Sequence, residues 1–332
     1  MTRRKTSLLA ATGLVALALL WLATAYYYPS DLGDRRVSVI IEPGDTFDEV
    51  ADSLLEGGVV RSSIVFRTAA RLMHIDRKLT PGRYDFTGRN SCRAVLRKLR
   101  EADFLRVRVT VPEGSPIWRV AAILNSRVDM DSATIMRLNT DSAFLASLEL
   151  PYLEGYLFPE TYFFKWGIPE SEALAEMVAM FRRQTDSLWP EQLPLGLTRE
   201  EAVVLASIVE AETMLEEENP IVASVYSNRL KRRMKLDADP TVIYGLGGLD
   251  RPLYRKDLRK DTPYNTYRRR GLPPTPINSP SLSAIRAVLS PADTDYLYFV
   301  ADGSGGHIFS RSNAEHNRAR RRIKATQNDK DS

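Results

Sequence analysis

A chain of 332 residues, 44% hydrophobic and 27% charged, has room for about two or three domains and a sizeable core, which excludes a disordered polymer. The net charge of +4 comes from scattered Lys and Arg plus one cluster (Arg318, Arg320, Arg321, Arg322, Lys324). That cluster reads as a solvated helix face and not as a nucleic-acid surface, because no aromatic or zinc-ligand pattern accompanies it. One cysteine, Cys92, excludes an intramolecular disulfide, and three histidines (His74, His307, His316) without an HExxH pairing give no metal or cofactor centre to expect.

In chain order, residues 1–6 form a short basic tail, and residues 7–28, SLLAATGLVALALLWLATAYYY, carry no charge. At helical rise this stretch runs roughly 33 Å, enough to cross a bilayer core, so it predicts a transmembrane helix. The rival is a cleaved signal peptide ending at Ala23-Thr24-Ala25; the length of the apolar run and the aromatic belt Tyr26 to Tyr28 favour an uncleaved anchor. Basic residues ahead of the span place the N-terminus in the cytoplasm and the rest outside.

The next segment, VSVIIEPGDTFDEVADSLLEGG, alternates as a strand, turns at Pro43-Gly44 and enters a helix through the capping box Thr46-x-x-Glu49. VRVTVPEGSPIWRVAAILNSR repeats that design, with Gly114 in the place of Gly44. Between them come a helix over 64–73, a turn at Pro81-Gly82, a short strand at 84–86 and a helix from about Ser91. These patterns predict small α+β modules over 36–106 and 107–150. From Pro151 long helical patterns (170–188, 199–212, 220–233) precede a loop-rich stretch, the strand YLYFVAD and a basic helix, which predicts an α+β domain over 151–325 with its cleft among the loops, and then a disordered tail over 326–332. The fold class expected is α+β.

One helix ends LASIVEAET, residues 205–213. Residues three, four and seven apart share a helix face, so Glu212 lies with Val209, Ile208 and Leu205, and Glu210 with Ser207, Ala206 and Val203. A carboxyl held against apolar groups resists ionisation and can donate a proton to a leaving oxygen, as cleavage of a glycosidic bond requires.

This segment, with NPIVASVYSNRLKRRMKLDADPTVIYGLG, TPYNTYRRRGLPPTPINSP, EGYLFPETY and YLYFVADGSGGHIFSRSNAEHN, closely resembles the endolytic murein transglycosylases of the MltG (YceG-like) family, from the anchor to about residue 325. The resemblance implies a membrane-anchored lyase. Its 36–106 region would be LysM-like, and its 151–325 domain would cut the MurNAc–GlcNAc β-1,4 bond inside peptidoglycan glycan strands to leave a 1,6-anhydroMurNAc end. It further implies a periplasmic catalytic domain on the cell inner membrane, trimming nascent strands beside glycan polymerases or penicillin-binding proteins. The alternatives are a hydrolytic muramidase and a non-catalytic peptidoglycan-binding scaffold. No cofactor is implied, because one glutamate can serve as acid and then base.

Glu212-Thr213 fits the family pattern of an acid followed by a small hydroxyl residue, so Glu212 is assigned as acid/base. Glu210 is placed among substrate-binding residues, with capping, hydrogen bonding or solvent exposure as its other roles. Asp239 and Thr241 in ADPTVIYGLG, and Tyr264, Asn265, Thr266 and Tyr267 in PYNTY, offer carboxylate, amide and hydroxyl groups beside aromatic faces. They are assigned to sugar binding, with turn formation as the plainer role. Glu154 and Tyr156 of EGYLFPETY join them as cleft candidates, a packed corner being the alternative. Proline-stiffened GLPPTPINSP makes a preset wall. It departs from the family wording with Thr275 in place of a glycine and with Ser279. His307 and His316 read as structural or peripheral.

Overall fold

The computed structural model describes residues 20–330 except Pro43, Arg77, Lys78 and Leu105, and beyond residue 325 the backbone alone. Most of the predicted span, residues 7–19, therefore lies outside the described residues. Residues 20–27 are helical, and no described helix is long and apolar enough to cross a membrane.

The chain divides into two compact units. The smaller comprises the described residues up to Arg108 together with Phe163–Ile168. In it, strand Val37–Ile41 pairs antiparallel with Gly82–Phe86 in the register Val39↔Tyr84, and helices Phe47–Glu56 and Ser63–Leu72 lie between them in sequence, a β-α-α-β order. The alternation of the strands sends Val39, Ile41, Tyr84 and Phe86 to one face, where Leu54, Phe66, Leu96 and Leu99 complete a dry core. The first helix starts where the capping box predicts, with Glu49 N donating to Thr46 Oγ1 and Thr46 N donating to Glu49 Oε2. Phe47 stacks on Phe66 at 5.4 Å.

The larger unit comprises Val109–Tyr162 and the described residues from Pro169. Residues 109–150 of the second strand-turn-helix unit fall within it. Its helix Ile117–Val128 packs with Ser132–Leu138, and Gly114 N donates to Ser279 O at 2.9 Å, so long-range pairing draws this segment into the unit that carries the long helices. At the centre of the unit, helix Arg199–Glu212 packs against Asn219–Lys231 and Leu282–Leu289. Residues 202–209 of the first helix are all buried. A helix apolar on every side belongs in the middle of a core. Thr198 and Glu201 cap its start as a second capping box, and Thr213 ends it in extended conformation (φ −137°, ψ 145°).

A hairpin of Tyr298–Ala301 and His307–Ser310 follows, in the register Phe299↔Phe309. The closing helix Asn313–Lys330 runs on through residues 326–330.

Candidate active site

The C-terminus of helix Arg199–Glu212, the helix Asn219–Lys231 and the hairpin enclose a cleft of about 410 Å³ in the larger unit. Glu212 lines it, partly exposed, at the point where its helix breaks off. Tyr226 Oη donates to Glu212 Oε1 at 2.6 Å. Burial pushes the Glu212 carboxyl up to about 7; the Tyr226 hydrogen bond and Arg229 oppose the shift, while the charge of Asp239 adds to it. Burial and the adjacent Glu212 hold the Tyr226 phenol well above its ordinary value, so at neutral pH the tyrosine donates and the glutamate is poised between acid and base.

Arg229, one helical turn beyond Tyr226, is buried. Its guanidinium donates to Leu297 O, Lys235 O, Leu236 O and Asp237 Oδ2 at 2.7–3.1 Å, and it lies over the Tyr298 ring at 5.1 Å. It thereby ties the hairpin and the segment 235–237 to the helix that carries Tyr226. Asp237 has a left-handed backbone (φ 49°), which turns the chain so that Ala238 is fully buried while Asp237 and Asp239 both reach the cleft. Asp239 Oδ1 accepts from Tyr267 Oη at 2.6 Å. His316 stacks on Tyr298 at 5.5 Å, and burial together with the charges of Arg320 and Arg229 lowers its pKa.

Of the residues singled out in the sequence, the cleft gathers Glu212, Asp239 and Tyr267. Thr241, Asn265 and Thr266 stand behind it, buried, with their polar atoms engaged inside the protein. Thr266 Oγ1 accepts from Ala238 N at 3.0 Å and shares a 2.9 Å hydrogen bond with Thr241, which donates to Ala238 O. Asn265 donates to Leu258 O and Lys260 O and accepts from Tyr267 N. These three residues frame the loop that presents Asp239 and Tyr267, the turn-forming role, with their polar atoms paired inside the protein.

Glu210 also leaves the cleft. Its Oε2 accepts from Ser281 N at 2.9 Å, beside Ser207 Oγ, which accepts from Ile277 N. The two faces of one helix thus serve different purposes, the Glu210 face holding segment 277–281. Tyr156 packs against Phe181 at 4.9 Å in the core. Glu154 is buried and accepts from Ile117 N and Tyr244 Oη, capping helix Ile117–Val128, whose N-cap Pro116 has no side chain to do so. With Tyr244, Tyr264 and Thr275, Glu154 lines a separate cavity of about 610 Å³ in the same unit. Thr275, where the family wording has a glycine, bonds Tyr264 Oη at 2.8 Å, and Ser279 bridges to Ser115. Gly271 to Pro274 of the proline-rich wall line a further hollow, away from Glu212.

Sequence reasoning did not select Tyr226, Arg229, Asp237 or Tyr298, and it read His316, which lines the cleft, as structural or peripheral. Tyr226 and Arg229 sit three apart on a helix of ordinary composition, and only the place where that helix meets the end of the Glu212 helix gives them meaning.

The model of the YceG-like family matches residues 39–322. A Bacillus subtilis protein named endolytic murein transglycosylase is 30% identical over 316 residues, covering 89% of this chain and 86% of that one. A Streptococcus pneumoniae protein of the same name is 27% identical over 321 residues, and there the match spans 58% of the relative. A crystal structure of a yceG-like protein from Listeria monocytogenes superposes with a TM-score of 0.58 at 27% identity, covering 85% of this chain and 98% of that one.

Proposed function

The chain belongs to the YceG-like family, and from that membership and the cleft around Glu212 we propose that it is an endolytic murein transglycosylase, a lyase that cuts peptidoglycan glycan strands. The observation that carries the reading is a carboxyl raised to about 7, hydrogen-bonded by Tyr226 and open to a cleft.

In the proposed reaction protonated Glu212 gives its hydrogen to the glycosidic oxygen as the bond from that oxygen to the muramoyl anomeric carbon breaks. The Glu212 carboxylate then takes the proton of the muramoyl 6-hydroxyl, whose oxygen bonds to the same carbon and closes a 1,6-anhydro ring. The acid is regenerated and no water enters. Asp239, exposed to the same cleft and fixed by Tyr267, lends negative charge to the cationic sugar that develops between the two steps.

The presence of Asp239 also supports the second reading, a muramidase, because a second carboxylate can activate a water molecule in hydrolysis. The ends of the products separate the two: anhydro ends follow from attack by the 6-hydroxyl, reducing ends from attack by water. Mass spectrometry of muropeptides released by the wild type and by Glu212→Gln is the test, and the reading requires anhydro ends from the first and none from the second.

The proposal extends to place and partners. The uncharged run 7–28 supports a membrane anchor with the catalytic unit on the outer, periplasmic side. The β-α-α-β order of the smaller unit supports a LysM-like, glycan-binding role. Nascent strands leaving glycan polymerases are the substrate in reach of an anchored enzyme.

A further inference from the structure

Glu218 begins helix Asn219–Lys231 as its N-cap residue, five positions after Thr213, and its carboxylate is largely buried (13% exposed). Its donors come from two elements. From the hairpin, His307 N reaches Oε1 at 2.9 Å and His307 Nδ1 reaches Oε2 at 2.6 Å. From the end of the Glu212 helix, Thr213 Oγ1 reaches Oε2 at 3.2 Å. The hairpin comes so close that a Cβ on Gly306 would stand 3.1 Å from Glu218 Oε1.

The contacts close into a ring. The His307 ring meets Phe299 edge-on at 5.2 Å, Phe299 meets Tyr226 edge-on at 5.9 Å, Tyr226 donates to Glu212, and Glu212 is bonded through the chain to Thr213. Each link fixes a different part of the acid's surroundings: Thr213 its backbone, Tyr226 its carboxyl, Phe299 the cleft wall. Since Glu212 stands at a helix end, where no further turn restrains it, the ring supplies the restraint that the helix does not.

We propose that Glu218 and His307 are positioning residues, a carboxylate–imidazole buckle that fixes Glu212 against Tyr226 by joining the loop after Glu212 to the hairpin wall of the cleft. The inference rests on the reading of Glu212 as the proton donor. Because a displacement of about 1 Å at a catalytic group costs up to 10²-fold in rate, loss of the buckle lowers turnover while the sugar-binding face stays in place.

The test is steady-state glycan cleavage by the full chain carrying His307→Leu, which removes the donor, and His307→Asn, whose amide nitrogen replaces Nδ1. The expected result is a kcat about 10- to 100-fold lower for His307→Leu, with KM within about twofold of wild type and the alkaline limb of the pH profile displaced; His307→Asn recovers most of kcat. An unchanged kcat and pH profile in His307→Leu overturns the proposal, as does equal loss in both variants. Should His307→Leu fail to fold, His307→Phe decides, for it keeps a ring against Phe299 and removes Nδ1; lowered kcat at constant KM supports the buckle and wild-type kcat overturns it. The outcomes stay separate from those for the acid itself. A wild type that cuts and a Glu212→Gln that does not, beside an unaffected His307→Leu, sinks the buckle alone, whereas an active Glu212→Gln sinks the reading of the site.

Discussion

Two carboxyls in the larger unit, Glu154 and Glu212, are raised to about 7, both chiefly by burial, and their surroundings give them different fates. Glu154 is 2% exposed and takes hydrogen bonds from Ile117 N and Tyr244, so it closes a helix end. Glu212 has one hydroxyl donor and an open cleft in front of it. A carboxyl whose folded pKa lies above its ordinary value holds a proton that the unfolded chain releases, so ionisation destabilises the fold as pH rises from about 4.5 to about 7 and the penalty is complete above that. Glu212→Gln removes the penalty. Thermal melts should therefore show the variant gaining on wild type between pH 5 and pH 8, by on the order of 1–2 kcal/mol; a difference independent of pH contradicts the raised pKa.

At the level of elements, the sequence was most readable where a local rule acts alone. Thr46 with Glu49 marks a helix start because both partners lie within four residues, and the β-branched alternation at Val37, Val39 and Ile41 gives the strand. The Glu210 and Glu212 faces were told apart by the apolar stripe, yet residues 202–209 are buried all round, so the stripe carries no such information. The distinction comes from what covers each face: segment 277–281 over Glu210, Tyr226 beside Glu212. Such pairings join residues more than ten positions apart, and no spacing rule reports them. Gly155 is of this kind. Its φ of 86° and its position under Pro276, where a Cβ would lie 2.5 Å from the ring, bring the EGYLFP and TPINSP motifs into contact. Gly155→Ala should cost about 2–4 kcal/mol in denaturant unfolding through backbone strain and overpacking; a loss under about 0.5 kcal/mol would mean that the two motifs have room to part.

Over the whole molecule, the repeated strand-turn-helix pattern suggested two like modules, but the copies have unlike neighbours. The first pairs its strand with Gly82–Phe86 inside the smaller unit, while the residues after Val109 join the larger one, through pairing to Ser279 and the Glu154 cap. Sequence similarity between segments reports local geometry, and burial decides which domain each belongs to. The proposed anchor makes a prediction at the same scale: the full chain should stay with membranes through alkaline carbonate and high salt and come away only in detergent, and release by carbonate would remove residues 7–28 as a span. Everything proposed about catalysis returns to the proton on Glu212, and the muropeptides released from purified glycan strands test it most directly. Wild type and Glu210→Gln should both yield anhydro ends and Glu212→Gln none; anhydro products from Glu212→Gln, with their loss in Glu210→Gln, would contradict the account.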